Sequence, residues 1–166
     1  MASDLQTQIV QAANQQGVPS SIALAVAQQE SGFNPNAVGS AGELGTFQLM
    51  PQYFPGAADP DTNISLGVGY LAQLYQQFGD WATALAAYNW GPTNVASGKS
   101  WPAQVSSYVN SVLGIAGASD SSAADSSPDL SIDDSGMVQS ASSPSLVAPI
   151  ALAAVVAVGL WVAWER

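Results

Sequence analysis

Apolar positions in the first 113 residues recur at three- and four-residue spacing and are interrupted by glycine and proline, which predicts short amphipathic helices. Leu5, Ile9 and Val10 open the first such pattern, and Gly17-Val18-Pro19 closes it. Ile22, Val26 and Glu30 stand at i, i+4 and i+8, so a second helix carries all three on one face. Ser20 occupies the position expected of its N-cap. Residues 32–62 are rich in Gly, Pro, Asn and Asp and predict loops with only short regular pieces. Ile64, Val68, Leu71, Tyr75 and Phe78 predict a third helix, closed by Gly79. Asp80 can cap a fourth, whose apolar face runs Trp81, Leu85 and Tyr88 before Gly91-Pro92 ends it. Val105, Val109 and Val112 mark a last helix. No alternating run is long enough for a sizeable sheet, so residues 1–114 are expected to form one mainly α domain.

The pattern changes after Gly114. Residues 115–145 are Ser-rich, carry Asp120, Asp125, Asp129, Asp133 and Asp134, and hold few large apolar side chains. Such a segment buries too little apolar surface to offset chain entropy, so a flexible linker is expected there. Residues 146–164 contain no charge. As a helix rising about 1.5 Å per residue they reach roughly 28 Å, near the thickness of a bilayer core. Trp161 and Trp164 beside Glu165-Arg166 suit an interfacial aromatic belt. One C-terminal transmembrane anchor is expected, with a buried core or subunit-contact helix as the alternative. Met1-Ala2-Ser3-Asp4 has neither the basic residues nor the apolar run of an export signal.

Composition narrows the chemistry. The chain has no Cys and no His, which removes Ser-His-Asp and Cys-His catalysis, disulfides, and metal sites built on those ligands. No cofactor or metal is expected. The net charge is −10 with only two basic residues, so nucleic acid is not an expected partner. Acid–base work falls to carboxylates and Tyr. Glu30 is the carboxylate that the helical pattern carries towards a core, at the C-terminal end of its helix. Burial and the helix dipole both disfavour its charged form and raise its pKa, which suits a general acid. A solvated helix-end Glu is the alternative.

Four blocks in order change that balance. Gln28-Gln29-Glu30-Ser31-Gly32-Phe33-Asn34-Pro35 is followed by Gly42-Glu43-Leu44-Gly45-Thr46-Phe47-Gln48-Leu49-Met50-Pro51. Asn63-Ile64, Gly67 and Tyr70-Leu71 come next, then Ala86-Ala87-Tyr88-Asn89-Trp90-Gly91-Pro92 and Tyr108-Val109. Over roughly residues 5–113 the chain resembles the lytic transglycosylases related to goose-type lysozyme. The resemblance implies a lysozyme-like fold and a peptidoglycan substrate cleaved between N-acetylmuramic acid and N-acetylglucosamine. It assigns Glu30 as the single acid/base, with a 1,6-anhydromuramic product. It implies saccharide contacts from Ser31, Gln48, Tyr88 and Asn89, and places Tyr88 near the acid. For these the alternatives are turn chemistry for Ser31, loop-stitching for Gln48, core packing for Tyr88 and helix capping for Asn89.

Three departures stand out. Glu43 replaces a small residue, Thr46-Phe47 an aliphatic pair, and Trp90 a small residue. Glu43 is either a second active-site carboxylate, which would permit hydrolysis, or a solvated loop residue. Phe47 and Trp90 are either sugar-stacking platforms or packing changes. The expected molecule is a wall-cleaving enzyme anchored in a virion membrane, with a secretion or conjugation apparatus as the alternative setting. The rival class is a non-catalytic glycan-binding or structural membrane protein.

Overall fold

The structure, a computed structural model, describes residues 2–123. Six helices follow one another: α1 (Ala2–Gln16), α2 (Ser20–Ser31), α3 (Pro60–Phe78), α4 (Trp81–Trp90), α5 (Pro92–Ala96) and α6 (Ala103–Ala123). Their ends follow from local chemistry. Asp59 Oδ1 accepts the Thr62 N–H at 2.9 Å, with Pro60 in the first helical turn of α3. Asp80 caps α4 as expected, accepting the Thr83 N–H at 2.8 Å. Gly32 ends α2 in the left-handed region, at φ 60°. One expected cap is corrected. Ser20 is already the first helical residue, and Pro19 stands at the cap without a side-chain bond. The Pro19 carbonyl opens the helix instead, accepting from Ile22 and Ala23 at 3.0 and 3.1 Å.

The helices pack α2 on α1 and α6, α3 on α1 and α4, and α4 on α5 and α6. Ile9, Ile22, Val26, Val68, Leu71, Leu74, Leu85, Val105, Val109 and Val112 supply the core between them. Ile22 and Val26 are therefore buried as their spacing predicts. Between α2 and α3 the chain forms loops knitted by two isolated antiparallel bridges, Val38 with Leu44 and Leu44 with Leu49. Leu44 and Leu49 exchange both backbone hydrogen bonds at 3.0 Å.

Helix α6 runs to Ala123, past the boundary expected at Gly114. Ala116 lies one turn beyond Val112 on the same face and is 4% exposed, so the core reaches past Gly114. Among the described residues no helix is long and apolar enough to cross a membrane. The remainder of the expected linker and the anchor expected at 146–164 lie outside them.

Candidate functional site

Glu30 sits in the last turn of α2, below the buried Ile22 and Val26. The packing of α2 against α6 brings it to Tyr108, whose hydroxyl donates to Glu30 Oε1 at 2.6 Å. Burial raises the Glu30 pKa from an ordinary 4.5 to about 7, partly opposed by the Tyr108 hydrogen bond and reinforced by the Glu43 charge. A carboxylic acid in this range holds its proton near neutrality and can also give it up. One turn further along α6, the Ser111 hydroxyl donates to Gln29 Oε1 at 2.6 Å. Two adjacent residues of α2 are thus tied to α6.

The loop after α2 forms the second wall. Ser31 Oγ lies 2.9 Å from the Thr46 carbonyl and 3.2 Å from that of Ala27, and it accepts the Asn34 N–H at 3.1 Å. Its hydroxyl is engaged in holding the helix end to the 43–49 loop. That loop is organised from below by Asn63, a buried residue of α3. The Asn63 amide donates to the Leu44 and Ala57 carbonyls at 2.8 and 2.9 Å, and its oxygen accepts the Phe47 N–H at 2.9 Å. The motif block contained Asn63, but no spacing rule distinguishes this bridging role.

Phe47 is fully buried, which favours the packing alternative over a sugar-stacking platform. Its ring lies against Gly67 of α3, where any Cβ would collide with it. Gln48 follows in the left-handed region at φ 46°, unusual for a residue with a side chain. Its Nε2 donates to the Gly45 carbonyl at 2.8 Å. Glu43 is half-buried, and its Oε2 accepts the Ala41 N–H at 3.0 Å. It is therefore not a fully solvated loop residue.

Tyr88 donates its hydroxyl to the Phe47 carbonyl at 2.7 Å, so the phenol bonded to Glu30 is Tyr108 and not Tyr88. Tyr88 still feels the Glu30 charge, which together with burial pushes its own pKa well up. Its ring centre is 5.5 Å from that of Tyr70. Asn89 is exposed at the end of α4. Trp90 is half-buried and packed against the core, and its carbonyl accepts from Asn94 at 2.7 Å. The sequence motifs contained Tyr108 without a role, because its partner lies 78 positions away.

A mainly helical domain with a half-buried, hydrogen-bonded carboxylic acid beside an amide-bearing loop defines a lysozyme-like class of site. The Transglycosylase SLT domain matches residues 7–108, and the chain belongs to that family. The soluble lytic murein transglycosylase of Escherichia coli K12 is 39% identical over 94 residues, covering 47% of this chain and 15% of that protein. The transglycosylase of Enterobacteria phage PRD1 is 36% identical over 104 residues, covering 55% of this chain and 38% of that protein. An inactive Glu→Gln mutant of the lytic transglycosylase Slt from Pseudomonas aeruginosa shares the fold, with a TM-score of 0.64 and 28% identity. That match covers 71% of this chain and 24% of the other. The chain thus spans well under half the length of these relatives.

Proposed function

We propose that this protein is a peptidoglycan lytic transglycosylase that uses Glu30 as its single acid/base. The observation that carries the reading is the Glu30 carboxyl, with its pKa raised to about 7 by burial and one oxygen held by Tyr108. Protonated Glu30 gives its proton to the glycosidic oxygen as the bond from muramyl C1 breaks. The resulting carboxylate then takes the proton of the muramyl C6 hydroxyl as that oxygen closes on C1. A 1,6-anhydro end forms and no water is consumed. A group that must act first as acid and then as base works best with a pKa near the working pH. Gln48 and Asn89 supply amides for the sugars, while Ser31 and Tyr88 hold the 43–49 loop at the acid. The Pseudomonas relative, inactive as a Glu→Gln mutant, supports an indispensable Glu in this family.

Glu30→Gln tests this. The variant should stay folded by circular dichroism and lose wall-lytic activity by at least about 10²–10⁴-fold, the usual contribution of a general acid–base. Near-normal turbidity loss from a folded Glu30→Gln protein would overturn the assignment, whereas a wild-type protein that clears no wall would favour a glycan-binding role. For the setting, we propose action on the cell wall from a membrane tether at residues 146–164, in a virion. The phage relative and the bilayer-length apolar run support that reading.

A further inference from the structure

Gly39 and Glu43 face each other across the first bridge of the loop, with the Gly39 N–H donating to the Glu43 carbonyl at 2.8 Å. The Glu43 side chain folds back over Gly39. A Cβ on Gly39 would collide with Glu43 Oε2 and stand 2.7 Å from Gln48 Oε1. The Glu43 carboxylate and the Gln48 amide oxygen therefore converge on the space above one glycine. Both are acceptors. The Gln48 amide is oriented by its own Nε2, which is committed to the Gly45 carbonyl, so its oxygen is the atom that faces Glu43. The unusual Gln48 backbone at φ 46° is part of that orientation. The same loop is joined to the residue after Glu30 by Ser31 and Thr46 at 2.9 Å. The Glu43 charge is also felt at Glu30.

Two convergent acceptors suit a molecule with two donors. A water that gives one hydrogen to Glu43 and one to Gln48 would present a lone pair outward. We propose that Glu43, with Gln48, positions and deprotonates a water, giving this site a hydrolytic outlet beside the intramolecular one. The step balances simply. Glu30 protonates the leaving oxygen as the C1–O bond breaks, the water oxygen bonds to C1, and the water proton passes to Glu43. The product is a reducing muramic end. Two carboxylates acting on one glycosidic bond in this way is the general logic of hydrolytic glycosidases. The inference rests on the glycan-cleaving reading above and adds a second product to it.

The test is digestion of purified peptidoglycan by the full chain in H₂¹⁸O, with mass spectrometry of the new ends. Wild type should yield both 1,6-anhydro ends without label and reducing ends carrying one ¹⁸O. Glu43→Gln should lower the labelled share by about a hundredfold, the scale of a lost general base, while anhydro ends persist. Gly39→Ala keeps every charge but pushes the Glu43 carboxylate aside, and should lower the labelled share by roughly tenfold or more. Wild type that gives anhydro ends alone overturns this inference and leaves the transglycosylase reading standing. An unchanged labelled share in either folded variant also overturns it. Wild type that cleaves nothing overturns both readings together. Should Glu43→Gln fail to fold, the wild-type label and Gly39→Ala still decide.

Discussion

Tyr108 opposes the environment that sets the Glu30 pKa. Burial raises it, while the phenol donates to the charged form and lowers it. Removing that hydroxyl should therefore push Glu30 higher still. Tyr108→Phe is expected to move the alkaline limb of the activity profile to higher pH, and an unmoved limb would show that the bond does not act on the acid. The same shift has a stability consequence. The folded state holds the Glu30 proton up to about 7, whereas the unfolded chain releases it near 4.5. Between those values the native state binds more protons, so stability falls as pH rises, by at most roughly 3 kcal/mol. Urea midpoints measured from pH 4 to 8 should show this decline in wild type and a flatter profile in Glu30→Gln. The acid itself was legible, because Ile22, Val26 and Glu30 repeat at one helical spacing. Its Tyr108 partner was not, because a hydrogen bond spanning 78 positions leaves no periodic trace.

Among the elements, the 43–49 loop depends on α3. Asn63 satisfies two carbonyls and one N–H that would otherwise be left without these partners. Asn63→Ala should cost about 2–4 kcal/mol in urea unfolding, since several buried polar groups lose their partner at once. A cost near zero would mean that the loop holds itself. Gly67→Ala should destabilise as well, by about 1–3 kcal/mol, because its methyl meets the buried Phe47 ring. These dependencies explain what the hydrophobic pattern left open or misjudged. Phe47 lies in a loop rich in glycine and polar residues, where the pattern allowed both exposure and packing, and the absence of a Cβ at Gly67 opens the slot that buries it. Ser20 has the right side chain for a cap, but the Pro19 carbonyl already takes that place in the backbone. The Asp80 cap was legible because its donor lies only three residues away.

At the scale of the molecule, the described residues all fall in one compact unit. A chain cut after Ala123 should fold and cleave walls, whereas one cut at Gly114 should lose stability through Ile115 and the buried Ala116. Thermal melts of the two, run beside full-length protein, check this directly, and equal melts would place α6 beyond Gly114 outside the cooperative unit. The order of the five longer helices was legible from periodicity over residues 5–113, while the five-residue α5 and the reach of α6 were not, because α5 is too short to show a period and Ser and Asp dominate the end of α6. The two bonds from α6 to Glu30 and Gln29 bear on biosynthesis. On the ribosome, α1 and α2 emerge long before α6, so the acid is made early and its phenol arrives late. Until residue 108 has left the exit tunnel and docked, Glu30 lacks both its hydrogen bond and the wall that buries it. A nascent or prematurely terminated chain would thus carry an ordinary exposed carboxylate, and the proposed catalytic centre would form only once the whole domain had been synthesised.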